Sequence, residues 1–146
     1  MRMIPLLMLL FVGVAGACET LELAPSIRGE QELPVVSERH AFWVNNHRIY
    51  GYDLRQHAVF LVDSMHYSTE VAVDAPFVVW VGFNEASQIY LCDLRRNGGS
   101  GGCMESDEKH QATNYTSLKS NVDIRGHFLV WQDHARGNWD VVICDL

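Results

Sequence analysis

Apolar residues along this chain fall in short runs separated by polar turns. Three runs end in tryptophan: His40–Trp43 (HAFW), Phe77–Trp80 (FVVW) and Phe128–Trp131 (FLVW). After each comes a polar turn, then a second run that closes on Asp-Leu. These second runs are Ile49–Leu54 (IYGYDL), Ile89–Leu94 (IYLCDL) and Val141–Leu146 (VVICDL). Upstream of each Trp lies a short alternating segment: Pro34–Ser37, Val71–Asp74 and Val122–Arg125. Short runs rich in Val, Ile, Phe and Trp between turn residues predict antiparallel strands. Ala58–Val62 (AVFLV) adds a fourth strand after the first Asp-Leu.

The tryptophans recur at spacings of 37 and 51 residues. A period near ~40 with several strands per unit predicts stacked repeats. Four antiparallel strands per repeat is the make-up of a β-propeller blade. A lone four-stranded sheet buries too little surface, so the blades must stack and bury their Trp, Val and Ile side chains between them. The expectation is therefore an all-β chain of about three units, near 34–64, 71–113 and 121–146, forming an incomplete ring. A plain antiparallel sandwich is the competing reading, because strand content alone does not separate the two. The third unit lacks its outer strand. Truncation of a longer propeller is the favoured explanation. That reading calls for further blades to close the ring; the alternatives are closure with a partner chain or a donated N-terminal strand.

The third unit spans Ile124–Leu146 and carries Gly126, Trp131, Asp133, Gly137, Asn138, Trp139, Asp140, Asp145 and Leu146. This pattern resembles the repeat of TolB-like, WD-repeat-like β-propellers, which occur in many secreted and cell-surface microbial proteins. The second unit keeps Trp80, Asn84, Asp93 and Leu94; the first keeps Trp43, Asp53 and Leu54. The resemblance covers roughly residues 30–146. It implies a fold, and it marks Trp43, Trp80, Trp131, Asp53, Asp93 and Asp145 as structural repeat positions. It implies no ligand, since propellers host many unrelated activities.

Residues 1–17 differ in character. Arg2 is their one charge, Ile4–Val14 is an apolar run, and Ala15-Gly16-Ala17 is a small-residue cleavage motif. That is the pattern of a secretory signal peptide, and the run is too short to span a bilayer. Cys18 follows directly and resembles the lipidated cysteine of bacterial lipoproteins, although Ala15 stands where Leu is more usual. Simple cleavage is favoured over lipidation. The expected location is secreted, periplasmic or cell-surface. Residues 18–33 form a leader whose segment Glu19–Leu23 reads as a weak closure strand or as a solvated tail. Charge adds one exclusion: the chain carries −7, and an acidic surface disfavours nucleic acid.

Cys92 and Cys103 flank a Gly-rich excursion, and an exported protein permits a disulfide between them. Two free thiols are the alternative reading. Cys144 holds the place of Cys92 in the third unit. The excursion continues into Glu105, Asp107 and Glu108, an acidic insertion of the kind that carries binding or is simply tolerated. Asn114-Tyr115-Thr116 is an N-glycosylation sequon.

Candidate chemistry is sparse. The seven histidines, His40, His47, His57, His66, His110, His127 and His134, lack metalloprotease spacing and read as scattered surface residues. Asp133, Asn138 and Asp140 offer oxygens to calcium in an extracellular setting. The same residues serve equally to tie a hairpin turn, and that reading is favoured. No cofactor is expected otherwise. The segments expected to be innermost are mostly apolar, with Asp74 and Asp123 as isolated acids. That favours a non-catalytic binding or scaffold module of the envelope or extracellular space, with a protein or polysaccharide ligand. A fragment of a propeller-type hydrolase or lyase acting on polysaccharide or peptide is the alternative.

Overall fold

The computed structural model describes residues 22–23, 26–64, 66–95, 103 and 109–146. The signal segment, Cys18 with the rest of 18–21, leader residues 24 and 25, and Glu105, Asp107 and Glu108 lie outside the described residues. The described chain is all-β, in three antiparallel sheets of four, four and three strands, none of them closed.

The first sheet runs β1 (Gln31–Val36), β2 (His40–Asn45), β3 (Arg48–Asp53) and β4 (Ala58–Asp63), paired in that order. The second runs β5 (Tyr67–Asp74), β6 (Phe77–Phe83), β7 (Ser87–Asp93) and β8 (Lys109–Gln111). The third holds β9 (Lys119–Arg125), β10 (Phe128–Asp133) and β11 (Asp140–Asp145). Each is a meander of consecutive hairpins. The expected strands are present, but β1 and β5 begin earlier than the apolar pattern suggested. Their first residues, Gln31 and Tyr67, lie in polar sequence that pairing with β2 and β6 draws into the sheet. The β2–β3 hairpin turns on Asn46 and His47, both at positive φ (47° and 64°). Two left-handed residues match the twist of the flanking strands.

The Asp-Leu signature has a repeated structural role. The Leu amide ends each third strand by donating to the residue just before the second strand. The bonds are Leu54 to Arg39 O, Leu94 to Pro76 O and Leu146 to His127 O, at 2.8–2.9 Å. The preceding Asp caps the turn that follows: Asp53 Oδ1 accepts the amides of Arg55 and Gln56, and Asp93 Oδ1 accepts that of Arg95.

The sheets pack face on face. Phe42, Val44, Ile49 and Val62 of the first meet Val71, Val78, Trp80 and Tyr90 of the second. The opposite face of the second, with Val79, Val81, Ile89 and Leu91, meets Val122, Ile124, Leu129 and Trp131 of the third. Trp43 points the other way and packs with Tyr52, Tyr50, Leu23 and Ile27. All three repeat tryptophans are buried. Sheet two, buried on both faces, is near-continuously apolar in β6, as such strands must be. Trp139 is half-exposed and meets His134 edge-on.

Candidate functional site

The first strands of the three sheets, β1, β5 and β9, lie side by side, and each carries one extra residue. The register shifts between Glu32 and Val35 in β1, between Ser68 and Glu70 in β5, and across Asn121 in β9. These β-bulges sit opposite the sheet's tryptophan or one residue past it. Leu33 and Asn121 adopt left-handed backbone, φ 52° and 54°. Asparagine tolerates this; for leucine it costs on the order of 1 kcal/mol. Bulges of this kind end regular pairing and re-aim side chains.

The bulged strands form a groove of about 490 Å³ lined by Leu33, Val35, Thr69, Glu70, Asn121 and Val122, among others. A second hollow of about 510 Å³ lies at the far end of the same strands, between Ser37, Glu38, Asp74 and Arg125. Two acids tie the strands together along this surface. Glu70 Oε1 accepts the Ser120 hydroxyl at 2.7 Å, and Oε2 accepts the Val122 amide at 3.1 Å. Asp74 Oδ2 accepts the Gly126 amide at 2.6 Å. Each bond crosses from sheet two to sheet three. The groove is thus a mixed surface with an apolar floor and a polar rim, suited to holding a ligand by shape and hydrogen bonds.

Two polar clusters lie between the sheets. In the first, Asp63 Oδ2 accepts Trp80 Nε1 at 3.0 Å and His66 Nδ1 at 2.8 Å, joining sheet one to sheet two. In the second, Asp133 Oδ2 accepts Trp131 Nε1 at 3.0 Å and the Tyr115 hydroxyl at 2.7 Å, while Oδ1 accepts the Ala135 amide. Burial alone would raise the Asp133 pKa. The bonds from Trp131, Ser117 and Tyr115, with the charge of Lys119, outweigh it and hold the carboxyl below its usual range. Lys119 is itself buried, and its Nζ donates to Ser87 O, Tyr115 O and Ser117 Oγ. Burial pushes its pKa down against the pull of Asp133. A buried lysine held by these and by Ser117 O is a structural clamp across sheets two and three.

The sequence-derived candidates separate in space. Of the three calcium candidates, Asp133 accepts from Trp131, Tyr115, Ser117 and Ala135, and Asn138 Nδ2 donates to Asp140 Oδ1 at 2.7 Å. Among the described residues no group of three or more His, Cys, Asp or Glu is placed to hold a metal ion. Cys92 and Cys103 stand at disulfide distance, Cα–Cα 6.0 Å, and Cys144 is free. Asn114 is exposed. The expectation of scattered surface histidines is corrected at two positions: His40 is buried beside Asp53, and His66 is largely buried on Asp63. His40 carries no local sequence signal, because its carboxylate, Asp53, lies in the next strand; His66 follows Asp63 closely, but what hides it is that Asp63 turns inward to Trp80 of sheet two. Glu70, Lys119 and Asp63 were missed for the same reason. Among the described residues no helix is long and apolar enough to cross a membrane. No protein-family model and no curated protein matches this sequence.

Proposed function

We propose that this chain is an exported, non-catalytic binding or scaffold module of propeller type. Its ligand site is the groove between β1, β5 and β9. The observation that carries the reading is the alignment of three bulged first strands around one groove. In a ring of such sheets these strands lie nearest the axis, where a ligand meets all of them at once. The groove's acid, Glu70, and Asp74 in the neighbouring hollow support binding over catalysis, since both have oxygens engaged by hydroxyl or backbone donors. The apolar N-terminal run with its Ala-Gly-Ala motif and the Cys92–Cys103 pair both suit an oxidising, extra-cytoplasmic setting. A polysaccharide or an extended protein segment fits an open surface lined by both apolar and polar side chains.

The test is a screen of purified protein on polysaccharide and peptide arrays, repeated with Thr69→Trp, which fills the groove at its rim. A ligand whose affinity drops about tenfold or more in the variant supports the site. Turnover of any arrayed polymer, or ligands indifferent to Thr69→Trp, contradicts the reading.

A further inference from the structure

The bulges of β1 and β9 are one device built on different residues. In each, two residues stand opposite the sheet's tryptophan and the first is left-handed: Leu33 before Pro34, and Asn121 before Val122. Asparagine adopts this backbone readily, whereas leucine is strained in it. Proline also steers the residue before it toward extended backbone. Leu33, at φ 52°, departs from both preferences. Burial does not account for it, because Leu33 is 48% exposed and belongs to neither inter-sheet core. What the leucine supplies is an aliphatic side chain on the lining of the groove between the first strands.

We infer that Leu33 is the specificity-determining residue of that groove and commits it to an extended, non-acidic peptide segment bearing an aliphatic side chain. The inference rests on the reading of the groove as the ligand site. Residues held in sparsely populated backbone regions cluster at ligand clamps. Around Leu33 the lining is aliphatic, with Pro34, Val35, Val71 and Val122. Val35 and Val71 belong to the core between sheets one and two, and Val122 to the core between sheets two and three. An aliphatic side chain docked on them extends two packed interfaces that already exist.

Polar chemistry decides between a peptide and a polysaccharide. Thr69, Glu70 and Asn121 complete the lining, and none of the lining residues is aromatic. Both Glu70 oxygens are engaged, by the Ser120 hydroxyl and the Val122 amide, and Asn121 Nδ2 donates to Gln132. Every sugar ring carries several hydroxyls, and each one buried without a partner is costly. A peptide asks less of these side chains. Its main chain meets the backbone groups that the bulges take off the ladder, and its side chains carry the selectivity. Glu70 is the one charge of the lining, so an acidic segment is repelled.

The probes are acetyl-Ser-Val-Leu-Val-Ser-amide, the same peptide with serine in place of leucine, and cellotetraose. Each is titrated by calorimetry into the full chain, into Leu33→Asn and into Thr69→Trp, and amide shifts locate the contact. The leucine peptide is expected to bind about tenfold more tightly than either other probe, to shift amides of β1, β5 and β9, and to weaken about tenfold in Leu33→Asn. The thermal midpoint of Leu33→Asn is expected not to fall, since asparagine suits the left-handed backbone; a leucine with a purely structural role would lower it. Cellotetraose that binds, is blocked by Thr69→Trp and ignores Leu33→Asn overturns this inference and leaves the groove reading standing. Absence of peptide binding, or peptide binding indifferent to Leu33→Asn, also overturns it. Peptide binding indifferent to both variants removes the groove reading as well.

Discussion

β7 and β11 are nearly the same strand in sequence, IYLCDL against VVICDL, in different surroundings. Ile89 and Leu91 of β7 are 0% and 7% exposed, whereas Val141 and Ile143, at the matching register, stand open. β7 has sheets on both faces and a strand on each edge. β11 is buried on one face only, so its residues alternate between half-buried and exposed while its sequence does not alternate. An apolar pattern records the surfaces a strand is suited to cover; it does not report which are covered.

Substituting the paired positions gives the largest expected contrast. Ile89→Asp places an unpaired carboxylate between sheets two and three and is expected to cost more than about 4 kcal/mol, enough to unfold a domain of this size. Ile143→Asp at an exposed position is expected to change stability by no more than about 0.5 kcal/mol. Chemical denaturation of both variants checks this, and similar losses in the two would erase the distinction.

The tryptophans give the next contrast. Trp80 Nε1 reaches Asp63 across the sheet interface, while Trp43 Nε1 is buried without a partner among the described residues. Both Trp→Phe changes lose comparable packing. Trp80→Phe also removes a donor from a buried carboxylate, and is expected to cost about 1–3 kcal/mol more than Trp43→Phe. Thermal unfolding of the two variants measures that difference.

These pairs show what the sequence made legible. The three sheets and nearly all strands could be read because Trp and Asp-Leu recur in register, and both have local causes: stacking of apolar faces, and capping of the turn after the third strand. The first-strand bulges could not be read. Leu33 and Asn121 look ordinary, and their left-handed backbone arises from pairing with β2 and β10. The cross-sheet ties at Glu70, Asp63 and Lys119 were hidden too, since each joins residues distant in sequence whose identity does not repeat. Sheet two lacks the acid that Asp133 supplies two residues after Trp131; Gly82 stands there, and Asp63 of sheet one serves instead.

The smallest expected effect concerns the Asp-Leu acids of sheets one and three. Burial would raise Asp53, but the amides of Gln56 and Arg55 and the guanidinium of Arg39 overcome it and lower its pKa from 3.8 to about 2. A carboxyl depressed in the folded state contributes stability that is complete above its unfolded pKa and is lost as pH falls toward the folded value. The acid side of the stability profile should therefore decline between pH 3.8 and about 2, and Asp53→Asn should flatten that decline. Asp145 holds the same place in the third sheet, but its side chain is 70% exposed. Unfolding midpoints of the parent chain and of Asp53→Asn across this range check the decline.

Native-state hydrogen exchange on the full chain tests the central contrast most directly. The predicted result is uniform slow exchange along Ile89–Cys92, and in β11 an alternation, with amides bonded to β10 protected and the outward ones exchanging orders of magnitude faster. Uniform protection along β11 in the free protein would mean that its edge is already covered, and would contradict the account.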